Sequence, residues 1–228
     1  MDEFRILCKT ENTDVVGVSE TWFKINSSSQ VDDLNLYKKA RNDGRRGGGV
    51  AIYVNSKLNS YEFVDSCFMK SRMEQMWVVI SILSEKYLVG CIYKPPDFTD
   101  MQDFGEVFRK IKDYADRKCF KDILIMGDIN YPEVVWTNGI ISMINSESSN
   151  VRKFCGIVNK SFLIQHVCSP TFQMANGTTE NTLDLIFTTE ESNVFELLDI
   201  GILGEIRKAH LIIKFKWCLN KRKELCLR

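Results

Sequence analysis

A chain of 228 residues with 44% hydrophobic content is long enough for one sizeable domain and apolar enough for a true core. Its 30 Lys+Arg balance 30 Asp+Glu, which excludes the global basic field that drives non-specific nucleic-acid binding and leaves only local patches for such a partner. Eight scattered cysteines with no C-x-x-C pair argue against zinc, while a charged start, "MDEFRILCKTENTD", and the lack of a long apolar run point to an intracellular protein, nuclear or cytoplasmic, with reduced thiols and no membrane partner.

In chain order, strand-length runs rich in Val, Ile and aromatics fall at "DVVGVSETW" (14–22), "GGVAIYV" (48–54), "MWVVISIL" (76–83), "YLVGCIY" (87–93), "DILIMGD" (122–128), "TLDLIFT" (182–188) and "HLIIKFKW" (210–217). Two stretches follow the helical period instead. Over 100–117, Phe104, Val107, Phe108, Ile111, Tyr114 and Ala115 recur at three and four behind Thr99 and Asp100; over 148–162, Val151, Phe154, Cys155, Val158 and Phe162 share a face. Each helix lies beside a strand, which predicts a mixed α/β fold of two packed sheets with helices on the outside.

Several apolar runs end on polar residues: Glu20, Tyr93, and the pair Asp128 and Asn130. Strand ends are where a rigid scaffold hands over to exposed loops, so polar groups gathered there can form a site. Asp128 and Asn130 stand at i and i+2 and would face one way on an extended chain, a pairing that suits an oxygen nucleophile and a phosphoryl oxygen. An Asx-turn that caps backbone groups ahead of Pro132 reads equally well.

Glu20 gains interest only in company, since Mg²⁺ wants one or two carboxylates plus phosphate and water oxygens. "RNDGRRGGGVAIYV" (41–54) lacks the G-K-[ST] ending of a P-loop and leads into a strand, so its glycines mark a hairpin. Lys38, Lys39, Arg41, Arg45 and Arg46 concentrate positive charge there, either against a phosphate backbone or on a solvated turn. Asp184, set between Leu183 and Leu185, needs a partner if buried. His210 is one candidate; backbone amides or Thr182 are the other. His166 reads as structural.

In this order, "DVVGVSETW", "RRGGGVAIYV", "CIYKPP", "ILIMGDINYPEVVW", "SFLIQHVCSPTF", "NTLDLIFT" and "HLIIKF" resemble the endonuclease/exonuclease/phosphatase superfamily, and most of all the endonuclease domain of LINE-type (non-LTR, Jockey-like) retrotransposons. The resemblance implies a four-layered α/β-sandwich over 1–217, followed by a basic tail at 218–228. It also implies a monomer that nicks DNA with Mg²⁺ or Mn²⁺, once fused to a reverse transcriptase. By the same resemblance Glu20 is the metal ligand and Tyr93 contacts phosphate. Asp128 orients or deprotonates the attacking water, Asn130 holds the scissile phosphate, Thr171 lies at the site's edge with substrate, and Asp184 with His210 stabilises the pentavalent phosphorus.

Two departures fall on the metal side. The family's first strand, which ends in an Asn beside the metal, is missing, so Met1 would begin in the following helix; and its Ser-Asp-His reads Lys208-Ala209-His210 here. With so few protein oxygens the metal would bind weakly, and activity would fall by about 10² to 10³. The alternatives are a non-catalytic remnant that binds nucleic acid or protein, and a small-molecule phosphodiesterase of the same fold.

Overall fold

A computed structural model describes residues 1–23, 29–41, 45–203, 209–219 and 226–227. Helix α1 (Asp2–Thr10) is followed by strands β1 (Val15–Ser19), β2 (Leu34–Lys39), β3 (Val50–Asn55) and β4 (Asn59–Glu62), a short helix α2 (Ser66–Lys70), β5 (Glu74–Ile82) and β6 (Glu85–Tyr93). Helix α3 (Met101–Asp116) leads to β7 (Asp122–Asp128), the hairpin β8 (Val134–Thr137) and β9 (Ile140–Ile144), and helix α4 (Ser149–Ser161). Short strands close the chain: β10 (Ile164–Gln165), β11 (Phe172–Gln173), β12 (Thr179–Glu180), β13 (Asp184–Thr188), β14 (Val194–Asp199), β15 (Ala209–His210), β16 (Ile213–Cys218) and β17 (Cys226–Leu227).

The central layer is a six-stranded sheet in the order β10-β13-β7-β6-β5-β4. All its pairings are antiparallel except β6 with β7, whose parallel register is made possible by the α3 crossover. On one face lie α3 and α4. Asp100 caps α3 by accepting from the Asp103 N–H at 3.0 Å, and Phe104, Val107, Phe108 and Ile111 point into the sheet at 0–1% exposure. Each such side chain contributes about 1.5–3 kcal/mol of burial. On the other face a second apolar layer joins Val50, Ile52 and Val54 of β3 to Val78, Val89, Leu124 and Trp217. Beyond it, α1 covers the outer side of β1-β3-β2 through Cys8 and Tyr53. Helix, sheet, strands and helix make the four layers that the resemblance implied.

Strand β7 carries an aspartate at each end. Asp122 is fully satisfied: it accepts from the Asn193 amide and the Trp217 indole, each at 2.7 Å, and so ties the last strands to the central sheet. At the other end Gly127 has φ +141°, and a Cβ there would sit 1.9 Å from the Ile92 carbonyl oxygen. Only glycine lets β7 lie this close to β6, and that approach fixes where Asp128 emerges.

Three expectations change. The expected strand over 210–217 is two strands, because Leu211 N–H bonds the Thr171 carbonyl and Ile212 N–H bonds Gly201, which shifts the chain from β11 to β14. Phe162 does not share the buried face of α4: it is the left-handed C-cap, φ +57°, and is 75% exposed. The chain also packs beyond residue 217. Leu219 is buried, its carbonyl accepts from the Tyr87 hydroxyl, and β17 pairs back onto β16.

Candidate active site

The register of β13 on β7 sets Asp184 directly opposite Asp128. Residues so paired point to the same side of the sheet, about 4.5–5.5 Å apart at Cβ. The third member arrives on β15, whose His210 pairs with Phe172 of β11 and packs against that ring at 5.1 Å. His210 Nδ1 then lies 2.7 Å from Asp184 Oδ2, and Nε2 lies 3.7 Å from Asp128 Oδ2. Thr171 holds this corner from beneath: its hydroxyl oxygen accepts from both Leu183 N–H and Asp184 N–H at 3.0 Å. At 2% exposure it positions Asp184 and does not meet solvent.

Charge follows from this geometry. Asp128 is 1% exposed, and burial, aided by the charge of Asp184, pushes its carboxyl up to about 7 against the pull of His210 and the Asn130 N–H. Burial works against the imidazolium of His210, yet the Asp184 hydrogen bond and charge outweigh it. With Asp128 and Glu20 adding, that ring is raised to about 9. At neutral pH the site therefore holds a cationic imidazole beside a carboxyl poised between its two forms.

Asn130 is placed by a turn, not by strand alternation. Its φ is +51°, its N–H donates to Asp128 Oδ1 at 3.1 Å, and its side-chain amide donates to Asp128 Oδ2 at 2.8 Å and to the Lys94 carbonyl at 3.2 Å. The Asx-turn reading and the shared-site reading thus hold together. Both side-chain N–H groups are used, so in this arrangement Asn130 steadies Asp128 and offers no donor to a phosphate.

Glu20 follows β1, exposed and with φ +51°, and its carboxylate accepts the hydroxyl proton of Tyr93. Its charge contributes to the pKa of both Asp128 and His210, so Glu20, Tyr93, Asp128, Asp184 and His210 share one neighbourhood. Burial and the Glu20 bond together push the Tyr93 phenol up.

The basic loop is more structural than it reads. Arg41 forms a mostly buried pair with Glu74, Nε to Oε1 at 2.7 Å, and Glu74 also accepts the Gly49 N–H. Arg45 pairs with exposed Asp97 at 2.7 Å, and Arg46 lies 5.2 Å over the exposed Trp22 ring. Lys208 lies outside the described residues; its neighbour Ala209 is buried on β15, where strand alternation turns it away from the His210 side.

Sequence reasoning missed Lys94. It is 2% exposed, its ammonium lies 4.3 Å over the Tyr131 ring and donates to the Pro95 carbonyl at 3.3 Å, and burial pulls its pKa down against nearby Asp128. Its position in "YKPP", directly after a strand ending at Tyr93, was the available hint.

Asp128, Asp184 and His210 each offer a ligand atom, all within 4.8 Å of one another, so the group could hold a divalent metal. Asp184 Oδ2 and His210 Nδ1 are engaged with each other. Glu20 lies outside that group, with its carboxylate bonded to the Tyr93 hydroxyl.

A family model described as endonuclease-reverse transcriptase matches residues 87–201, which include Tyr93, Asp128, Asn130, Thr171 and Asp184. Among solved structures the chain is similar to the endonuclease domain of TRAS1, a telomere-specific non-LTR retrotransposon, with 16% identity, a TM-score of 0.67, and coverage of 96% of this chain and 93% of that one. It is also similar to the 3′ phosphatase NExo from Neisseria bound to product DNA hairpin, at 11% identity, TM-score 0.67, and coverage of 95% and 93%. An AP endonuclease from Archaeoglobus fulgidus matches at 13% identity, TM-score 0.61, and coverage of 93% and 92%. No curated protein matches. These likenesses establish the fold, and with the match over half its length the chain belongs to the endonuclease-reverse transcriptase family of the endonuclease/exonuclease/phosphatase superfamily.

Proposed function

We propose that the chain is a divalent-metal-dependent phosphodiester hydrolase, a DNA-nicking endonuclease domain of retrotransposon origin with impaired activity. The observation that carries the reading is the Asp184–His210–Asp128 row, where an oriented imidazolium faces a carboxyl with a pKa near neutrality. A phosphate seated at Nε2 would meet a fixed positive charge held by Asp184, which favours the extra negative charge of an in-line displacement. Asp128, once ionised, takes a proton from the attacking water as its oxygen bonds phosphorus and the bond to the leaving oxygen breaks. Asn130 keeps Asp128 in place for that transfer.

Mg²⁺ or Mn²⁺ held through Glu20 and Asp128 would supply further charge to the phosphate and the leaving oxygen. Two carboxylates alone hold such an ion weakly. A spent Asn130 amide leaves the phosphate one donor short, in keeping with a rate lowered by about 10² to 10³. The DNA backbone is the intended substrate, with Arg45 and Arg46 as candidate phosphate contacts.

The test is nicking of supercoiled plasmid with Mg²⁺ or Mn²⁺ beside Asp128→Ala and His210→Ala. Each variant should lose activity by at least about 10²-fold. Equal nicking by wild type and both variants would overturn the proposal.

A further inference from the structure

Of the four tryptophans, Trp77, Trp136 and Trp217 are buried, whereas Trp22 is 54% exposed. Its neighbour Phe23 packs into the apolar cluster under α1, but Trp22 belongs to none of the three apolar clusters. It stands two residues beyond Glu20, whose carboxylate bonds the Tyr93 hydroxyl at the candidate site.

A single exposed aromatic side chain is ordinary. The backbone that holds this one is not. Glu20 and Trp22 both have positive φ, +51° and +53°, in the left-handed region that bulky side chains seldom adopt. Two bonds to the glycine loop fix them there: Thr21 N–H donates to the Gly49 carbonyl at 3.2 Å, and Trp22 N–H donates to the Gly48 carbonyl at 2.9 Å. Glu74 anchors the loop in turn, by accepting the Gly49 N–H and pairing with Arg41. Gly47 lies against the indole, where a Cβ would be 3.4 Å from Cε2, and the Arg46 guanidinium sits 5.2 Å from the ring centre. The chain thus accepts backbone strain to hold a large ring out in water beside a cation. Strain that neighbouring bonds enforce in this way gathers at ligand sites.

We propose that Trp22, with Arg46 beside it, is a stacking platform for one unpaired nucleobase of the DNA substrate, next to the phosphate to be cut. The chemistry selects that ligand: a flat π-face matches a base, and a guanidinium alongside matches the phosphate chain that carries the base. Bases inside a duplex stack on one another and offer only their edges, so the platform favours a frayed, bulged or single-stranded nucleotide. That the substrate is DNA rests on the hydrolase proposed above; that one of its bases is unpaired is new.

Binding in EDTA separates the platform from catalysis. Two single-stranded probes of equal length and charge are compared: an oligothymidylate, and the same backbone with tetrahydrofuran in place of each base-bearing sugar. Because the other tryptophans are buried, quenching of the red-shifted indole emission reports Trp22. Wild type should bind the oligothymidylate at least about fivefold tighter than the base-free probe, with that emission quenched.

Trp22→Ala should lose this preference, and Trp22→Phe should keep most of it. Arg46→Gln should weaken both probes alike and leave the preference in place, since it removes charge and not the stacking face. Failure of wild type to bind either probe, equal binding of the two, no quenching, or a preference that survives in Trp22→Ala would each overturn the inference. Base-dependent, Trp22-dependent binding by a protein that nicks no DNA would instead overturn the hydrolase and leave the platform standing.

Discussion

Replacing Asp184 by Asn removes one charge from the site while keeping its shape. In the wild type, Asp184 Oδ2 accepts from His210 Nδ1 at 2.7 Å and heads the influences that raise the ring from 6.5 to about 9. Asp128 and Glu20 supply the remainder and stay in place in the variant. Loss of the Asp184 charge should lower the His210 pKa by about 1 to 2 pH units, equivalent to about 1.4–2.7 kcal/mol. The side chain is 34% exposed, so solvent screening favours the lower end. Asp184 also raises Asp128, so the Asp128 carboxyl should fall in the same variant. The assay is an NMR titration of the imidazole nitrogens and the Asp128 carboxyl carbon on metal-free protein from about pH 4 to 10. Both midpoints should move to lower pH. A His210 midpoint that stays near the wild-type value, or an Asp128 midpoint that rises, would refute the electrostatic reasoning.

The same groups set how stability varies with pH. His210 has a raised pKa, so its contribution is fully present below about 6.5 and is lost as pH rises through about 9; Asp128, also raised, costs stability as it ionises through about 7. Urea midpoints should therefore fall from pH 6 to about pH 9, and a midpoint that rises over this range would contradict the assignment. Thr171→Val strands two buried N–H groups and should cost about 2–3 kcal/mol in urea unfolding, whereas Thr171→Ser should recover most of it. Gly127→Ala forces a Cβ into the Ile92 carbonyl and should cost about 3 kcal/mol or more, or prevent folding; near-wild-type stability would show that β7 can shift. Asn130→Asp places a second negative charge on Asp128 and should raise its midpoint further and reduce nicking, with unchanged titration as the contrary result.

The elements legible in the sequence are those whose signal is local and strong. Helices α3 and α4 lie within one residue of the expected spans at both ends, because each carries a sustained apolar face and Asp100 caps α3. β7 matches its expected range, bounded by an aspartate at each end. The strands missed, β2, β4, the β8–β9 hairpin, β10, β11, β12, β14 and β17, are short or half-exposed, and their partners are chosen by the tertiary fold.

At the site, Asp184 and His210 could be paired on chemical grounds, since a buried carboxylate needs a partner, and the structure makes that bond. Thr171 could be singled out but not its task, which depends on two N–H groups of a strand 12 and 13 residues away. At Asn130 the sequence supported a turn and an extended chain equally, and the fold supplies the turn. Lys94 and the Arg41–Glu74 pair are products of packing, with no periodicity to announce them.

The most direct test of the central claim is the single-turnover nicking rate as a function of pH with saturating Mn²⁺, for wild type and Asp184→Asn. A hydrolase working through ionised Asp128 and protonated His210 gives a bell whose alkaline limb shifts to lower pH in the variant. A wild-type profile with no alkaline limb, or a limb that Asp184→Asn leaves in place, would show that the imidazole beside Asp184 does not carry the chemistry.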